Sequence, residues 1–129
     1  MLYPPHKIHH IGYAVKNIEE ASKIFGMLSY EIKSSIIEDI ERNVKILFVE
    51  NNLTLIELIQ TLDAEIKSPL DFLFKKKFSF PGNGIPYHIC YSVNNIDKEI
   101  QNLNHKEHFI LIQKKSKAPA LGGRNVAFL

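Results

Sequence analysis

The sequence predicts an α+β fold made of two similar modules, each a strand and a helix followed by further strands. One observation is an internal repeat, because residues 10–21 and 88–99 share His, Ile, Tyr, Val, Asn and Ile in register, at an offset of 88 − 10 = 78. Another is that each copy begins with strand-forming residues and continues into a helical pattern. Both copies start with a histidine, so the repeat can place His10 and His88 around one shared centre.

Length and composition set broad limits on function. The chain has 129 residues, which fits a single domain over residues 1–129 with a sizeable core. Its net charge of +2 is too small to indicate nucleic-acid or membrane binding. The single cysteine excludes an internal disulfide framework and predicts a reducing, cytoplasmic environment. The sequence has neither a signal-peptide pattern nor an apolar run near the roughly 20 residues that span a bilayer.

The first predicted module covers about residues 7–62. It begins with a strand at Ile8–Val15, and Asn17 then caps a helix with Glu20 in the capping-box position. The apolar stripe of this helix consists of Ile18, Ala21, Ile24, Phe25 and Leu28. Three further strands are predicted at Tyr30–Ile37, Val44–Val49 and Leu53–Gln60, with a turn at residues 51–52 between the last two.

A connecting helix is predicted over about residues 68–78. Ser68 can cap this helix, and Pro69 suits its first position. Its end carries the basic run of residues 75–77, which is either a solvated helix end or a docking point for the phosphates of a ligand. The Pro-Gly-Asn-Gly run at residues 81–84 is a strong breaker before the second module.

The second predicted module covers about residues 85–129 and is incomplete. Its predicted elements are a strand at Tyr87–Val93, a helix from Asn95 to about Leu103, a strand near Phe109–Gln113 and a strand at Val126–Leu129. The last of these rests on a second repeat, in which residues 42–44 (RNV) return as residues 124–126 at an offset of 124 − 42 = 82. The copy of Glu57 would fall at about 57 + 82 = 139, so we expect this module to lack its last strand.

Alternation along the strands assigns the repeated residues to faces. Side chains of a strand point to opposite faces in turn, so the large residues Ile11, Tyr13 and Val15 share the face that packs on the helix. The histidine of each copy lies on the other face above two small residues, which are Gly12 and Ala14 in the first copy and Cys90 and Ser92 in the second. Small residues there leave room for a ligand, which is typical of a concave binding site.

A carboxylate on a third strand completes a candidate metal site. Glu57 lies within an apolar strand, where a carboxylate is costly to bury unless it is paired or binds a metal. With His10 and His88 it would form a two-histidine, one-carboxylate site suited to zinc, iron, cobalt, nickel or manganese. The competing interpretation is that the histidines are hydrogen-bonded core residues and Glu57 is a surface charge of an edge strand.

The other candidate residues are given lesser roles. His9 points opposite to His10 and is assigned a structural role. Cys90 shares the face of His88, but no oxyanion hole is visible that would support a nucleophilic pair. His6, His105 and His108 lie near predicted loops and receive no role.

The chain resembles the vicinal oxygen chelate superfamily, and within it the methylmalonyl-CoA epimerase and glyoxalase-like proteins. The resembling segments are residues 9–15 (HHIGYAV), 54–59 (TLIELI), 68–70 (SPL), 87–93 (YHICYSV) and 118–120 (APA). The resemblance implies two paired βαβββ modules that form a cupped mixed sheet around one divalent metal ion. It assigns three of the four family ligands to His10, Glu57 and His88. The fourth ligand, a Glu that also resembles a catalytic base, has no matching position here. Glu57 is the catalytic candidate that the chain retains, which leaves half of the acid–base equipment of an epimerase.

The resemblance implies three alternative functions. The first is a metal-dependent epimerase or isomerase of a 2-substituted acyl-CoA. The second is a lyase of a glutathione hemithioacetal, whose ligand set is similar. The third is a non-catalytic protein of the bleomycin-resistance kind that binds a small molecule. An iron dioxygenase also uses two histidines and a carboxylate, but this chain is short and its ligands are split between modules.

The missing last strand also predicts an oligomer. A sheet edge with unpaired backbone groups tends to pair with another chain. We therefore expect a homodimer, with the possibility of a strand exchanged between the two copies.

Overall fold

The computed structural model describes residues 6–52, 54–74, 84–106 and 109–129. Within these residues the strands are β1 (Lys7–Ala14), β2 (Glu31–Ile32), β3 (Ile37–Asp39), β4 (Val44–Asn51), β5 (Thr54–Thr61), β6 (Ile85–Ser92), β7 (Gln113–Ala118) and β8 (Arg124–Phe128). The helices are α1 (Ile18–Met27), α2 (Asp71–Phe74) and α3 (Ile96–Asn104), with a short 3-10 helix at Pro119–Leu121. No helix in this described part of the chain is long and apolar enough to cross a membrane.

The chain divides into two compact units. One unit consists of residues 8–90, and the other contains the described residues outside that range. The larger unit carries the six-stranded sheet, in the order β2-β4-β5-β1-β6 with β3 also pairing with β4. Strand β1 is parallel to β5, whereas β4 is antiparallel to β5, so the predicted α+β fold with a mixed sheet is confirmed.

One face of this sheet packs on α1 and forms the core. The alternating residues Leu47 and Val49 of β4 and Ile56 and Leu58 of β5 meet Val15 and the buried side of the helix, which consists of Ile18, Ala21 and Phe25. Ile11 and Tyr13 pack against this cluster, as the alternation in β1 predicts. The start of α1 is fixed by Asn17, whose side-chain oxygen accepts a hydrogen bond of 2.9 Å from the backbone of Glu20.

The smaller unit contains a second, separate sheet. Its strands β7 and β8 pair antiparallel, with Ser116 opposite Val126 and Ala118 opposite Arg124. Helix α3 repeats the cap of α1, because the side chain of Asn95 accepts from the backbone of Lys98 at 3.0 Å. The similarity between the two helices does not extend to their packing, because α1 has buried residues and α3 has none.

Three predicted elements are corrected by the structure. The strand predicted near Phe109–Gln113 is wrong, because β7 begins only at Gln113 and continues through the polar residues that pair with β8. The apolar residues near 109–113 therefore predicted the strand in the wrong place, because the position of β7 is determined by its pairing with β8. The strand predicted at Tyr30–Ile37 is reduced to the short β2 and β3. Helix α2 begins at Asp71 rather than at Pro69, although the predicted cap forms: the hydroxyl of Ser68 accepts from the backbone N–H of Leu70, and the carboxylate of Asp71 accepts from the backbone N–H of Ser68.

Other predicted features lie outside the described residues. These are the basic run at 75–77 with the end of the connecting helix, residues 81–83 of the breaker, and His108.

The core predicts a large effect of Leu58→Ala. Leu58 of β5 is fully buried in the core cluster with residues of β4 and α1, so truncation leaves a cavity and should lower the free energy of unfolding by about 2–5 kcal/mol. Urea denaturation followed by circular dichroism measures this loss. The control is Ile32→Ala, which removes a side chain that is 61% exposed and should cost less than about 0.5 kcal/mol. Equal losses in the two variants would contradict the assigned core.

Candidate metal centre

Three adjacent strands carry the histidines and the carboxylate predicted from the sequence. Strand β1 lies between β5 and β6 in the sheet, and these strands carry His10, Glu57 and His88 respectively. The parallel register places Glu57 beside Gly12, two residues along β1 from His10 and therefore on the same face. This face is opposite to the one that packs on α1, as alternation requires.

The three side chains converge on one point. Nε2 of His10 lies 3.1 Å from Nε2 of His88. The two oxygens of Glu57 divide between the rings, with Oε2 at 3.3 Å from Nε2 of His10 and Oε1 at 3.5 Å from Nε2 of His88. One potential ligand atom from each residue lies within 4.8 Å of the others. We name this group, consisting of His10, Glu57 and His88, the HEH cluster.

The ring of His88 reaches the cluster because residue 12 is glycine. A Cβ atom at Gly12 would lie 2.6 Å from Cε1 of His88 and 2.8 Å from both of its ring nitrogens. These distances are shorter than real Cβ atoms accept, so the imidazole packs directly on the backbone of Gly12. The small residue therefore makes room for a ligating side chain.

Burial makes both histidines weak bases. His10 is 2% exposed, and removal from water lowers its pKa to about 3, with smaller contributions from His88 and His9. Burial likewise lowers the pKa of His88 to about 4. Both rings are therefore neutral at physiological pH, which is the form in which imidazole binds a metal.

The carboxylate of Glu57 is perturbed in the opposite direction. Glu57 is 5% exposed, and burial raises its pKa to about 8. The charge of Arg42 opposes this shift, whereas the negative charge of Asp39 adds to it. Arg42 is itself held by Asp39 through a 2.7 Å ion pair at the turn between β3 and β4. In the absence of a cation the HEH cluster is therefore neutral, and a bound cation would displace the proton of Glu57.

Aromatic side chains surround the cluster. Phe48 lies opposite Glu57 in the β4–β5 ladder, and its ring meets the ring of His10 edge-on at 5.6 Å between centroids. Tyr87 contacts His88 in a similar way at 5.0 Å. The pKa of Tyr87 is raised by burial and by the charge of Glu57, so its phenol keeps its proton.

The donor set and its spacing fit one divalent metal ion. Ligands about 2.1 Å from a metal are separated by about 3.0 Å when they subtend a right angle and by about 3.4 Å at the tetrahedral angle. The Nε2–Nε2 distance of 3.1 Å agrees with these separations, and each imidazole has a different oxygen of Glu57 in or near the same range, at 3.3 Å for His10 and 3.5 Å for His88. Neutral imidazoles and a carboxylate are also the ligands that zinc, iron, cobalt, nickel and manganese prefer. His10, Glu57 and His88 could therefore hold such an ion.

The structure brings together every residue that the sequence analysis placed in the metal site. It also adds residues that the sequence analysis gave no chemical role. In the sequence Arg42 stands out only as part of the repeated RNV segment, whereas in the fold its charge acts on Glu57. His9 was assigned to the opposite face, yet its Nδ1 lies 2.8 Å from Nδ1 of His10. The sequence signal for this contact was that the two histidines are adjacent. The Nδ1 atom of each ring lies near the backbone, so the two Nδ1 atoms can meet beside the strand.

Comparison with known proteins identifies the family. Residues 9–128 match the model of the glyoxalase/bleomycin resistance protein/dioxygenase superfamily. The chain belongs to this superfamily, whose members typically bind a divalent metal. No curated protein shows a significant match to the sequence.

Solved structures agree with this assignment. A hypothetical protein from Bacillus halodurans is 27% identical, with a TM-score of 0.77 over 97% of this chain and 84% of its own. A methylmalonyl-CoA epimerase from Streptomyces coelicolor, in complex with 2-nitronate-propionyl-CoA, is 12% identical, with a TM-score of 0.73 over 95% of this chain and 85% of its own. A methylmalonyl-CoA epimerase from Mycobacterium tuberculosis is 16% identical, with a TM-score of 0.68 over 86% and 70%. The likeness to the two epimerases is a likeness of fold.

The packing on Gly12 predicts that Gly12→Ala disrupts the HEH cluster. The added methyl group would overlap the ring of His88, which must then move its Nε2 away from His10. We expect cobalt affinity, measured by absorption titration, to fall about 10- to 100-fold. The control is Gly26→Ala in α1, where a Cβ meets nothing within 4 Å and affinity should not change. A Gly12→Ala protein with unchanged affinity would contradict this packing argument.

The raised pKa of Glu57 predicts a pH dependence of stability in the metal-free protein. Glu57 has an ordinary pKa of 4.5 and a folded pKa of about 8, so its contribution is complete below pH 4.5 and is lost as pH rises toward 8. The lowered pKa values of His10 and His88 act oppositely, because their contribution is present above pH 6.5 and is lost as pH falls toward 4. Glu57→Gln removes only the first effect.

Urea unfolding of the EDTA-treated proteins between pH 5 and 8 measures this difference. Relative to Glu57→Gln, the wild type should lose stability with rising pH, by at most about 1.4 kcal/mol per unit. Glu38→Gln, at an exposed position of β3, serves as the control and should parallel the wild type. A constant difference between wild type and Glu57→Gln would show that Glu57 is ionised in the metal-free fold.

Proposed function

We propose that this protein is a metal-dependent epimerase or isomerase of a 2-substituted acyl-CoA, similar to methylmalonyl-CoA epimerase. The observation that carries the proposal is the HEH cluster, in which two neutral imidazoles and one carboxylate meet, with His10 and Glu57 buried and His88 partly buried. The fold shared with methylmalonyl-CoA epimerases supports the choice of substrate class.

A divalent ion at the HEH cluster would act as a Lewis acid that polarises a carbonyl oxygen of the substrate and so makes the neighbouring C–H bond more acidic. The side chains of His10, Glu57 and His88 would hold that ion. Their burial excludes water, which strengthens electrostatic interactions inside the site. The ring of Phe48 contacts His10 and gives the site an apolar side chain on that side.

Epimerisation requires that a proton leaves the α-carbon on one face and returns on the other. Glu57 is the catalytic residue that we assign, because its carboxylate would bind the ion and a carboxylate can also accept a proton. Its two oxygens are directed at the two imidazoles, and this orientation favours metal binding over proton transfer as the main role of Glu57. Glu57 supplies one of the two proton-transfer groups that epimerisation needs, and Asp39, whose carboxylate pairs with Arg42, is not assigned as the second.

Three further expectations accompany this proposal. The partner is a small molecule, an acyl-CoA or a glutathione adduct. A homodimer stays a prediction, supported by the position of β6 at the end of the strand order and by the half-exposed Ile89 and Tyr91 on it. A cytoplasmic location, predicted from the single cysteine, also stays a prediction.

Hydrogen exchange in deuterated water tests the reaction. The cobalt-loaded protein is incubated with methylmalonyl-CoA, and deuterium at the α-carbon is measured by mass spectrometry. We expect deuterium to enter with the wild type and entry to slow by at least about 100-fold with Glu57→Gln, because loss of a general base typically costs 10²–10⁴-fold. Glu38→Gln, which changes an exposed carboxylate of β3 outside the HEH cluster, is the matched control and should exchange at the wild-type rate.

Two outcomes would overturn the proposed reaction. No exchange with methylmalonyl-CoA, together with turnover of a glutathione hemithioacetal, would identify a lyase. No turnover of either compound by metal-loaded protein that still binds them would identify a binding protein of the bleomycin-resistance kind.

A further inference from the structure

His9 makes a contact that the proposed reaction does not use. Its Nδ1 lies 2.8 Å from Nδ1 of His10, and the two rings meet edge-on with centroids 5.1 Å apart. Both residues belong to β1, so the main chain holds the two rings together. The contact lies on the side of His10 away from the HEH cluster, because His10 meets His88 and Glu57 through its Nε2.

A hydrogen bond between two Nδ1 atoms requires one donor and one acceptor. A neutral imidazole has one ring N–H and one ring nitrogen with a free lone pair. For His10 to present the lone pair of Nε2 to a metal, its proton must be on Nδ1. The short contact then makes His10 the donor and His9 the acceptor, so the proton of His9 must be on Nε2.

The opposite arrangement is incompatible with metal binding through Nε2. If His9 donates through its Nδ1, the lone pair of His10 is at Nδ1 and its proton is at Nε2. That proton points into the HEH cluster, where Nε2 of His88 is 3.1 Å away and can accept it. The two arrangements differ in the positions of two protons, and the number of bound protons does not change.

We propose that His9 is a positioning residue, which accepts the Nδ1 hydrogen of His10 and thereby fixes the tautomer in which His10 binds a metal through Nε2. The inference rests on the proposed metal site. Residues that accept the second N–H of a ligating histidine commonly contribute about 10- to 100-fold to metal affinity. Here the acceptor is a neighbouring imidazole, which can itself change tautomer.

Two substitutions at residue 9 separate hydrogen bonding from packing. His9→Phe keeps an aromatic ring against His10 but removes the acceptor. His9→Asn removes the ring but can place its side-chain oxygen near the position of Nδ1. We expect cobalt affinity, from absorption titration, to fall about 10- to 100-fold in His9→Phe and to be within a few-fold of wild type in His9→Asn. His105→Phe is the control, at an exposed histidine outside the HEH cluster.

Nitrogen NMR of the imidazoles gives a second readout that packing alone would not change. In the zinc-loaded wild type, His10 should carry its proton on Nδ1 and His9 on Nε2. A His9 that carries a proton on Nδ1 in the zinc-loaded protein would overturn the inference.

Failure of the inference can be distinguished from failure of the metal site. Wild-type protein that binds neither cobalt nor zinc would refute the proposed site itself. Wild-type protein that binds cobalt while His9→Phe binds it equally well would refute only the role of His9. Equal losses in His9→Phe and His9→Asn would likewise refute it, because they would show that the ring matters and the acceptor does not.

Discussion

The contact between the imidazole of His88 and the backbone of Gly12 is the constraint on which the rest of the centre depends. It allows β6 to bring a ligating side chain over β1, where any larger residue would block it. The parallel register of β1 and β5 then supplies Glu57 at the same level of the sheet. Three strands that are distant in sequence thus place one polar side chain each in a single cluster, in which His10 and Glu57 are buried and His88 is partly buried.

Burial of these groups determines their chemistry. Removal from water keeps both imidazoles neutral and favours the protonated form of Glu57, so the metal-free fold avoids a buried net charge. A divalent ion reverses the preference of Glu57, because a positive charge among the ligands stabilises the carboxylate. The HEH cluster is therefore compatible with folding in the absence of metal and has the ligand chemistry to bind one.

The sequence repeat made this centre predictable because each repeated residue has a local role that can be recognised without knowing the rest of the fold. The repeated histidines supply the imidazoles, and the repeated asparagines Asn17 and Asn95 cap the two helices. Alternation in β1 correctly placed Ile11 and Tyr13 on the core. These predictions succeeded because they depend on local geometry, namely the periods of a strand and a helix.

Other features depend on contacts that a local pattern does not contain. The position of β7 is decided by pairing with β8, and an apolar run nearby misdirected the prediction. The pair of Asp39 and Arg42 acts on Glu57 through the fold of a turn. The contact of His9 with His10 depends on the side-chain conformations of neighbouring residues, which alternation alone does not specify.

The central claim is that the HEH cluster holds one divalent ion. Anomalous diffraction from crystals soaked in zinc, with data collected on both sides of the zinc absorption edge, tests this claim most directly. We expect one peak about 2.0–2.2 Å from Nε2 of His10, Nε2 of His88 and a carboxylate oxygen of Glu57. Crystals that show no zinc peak among these three residues, or a peak bound elsewhere, would contradict it.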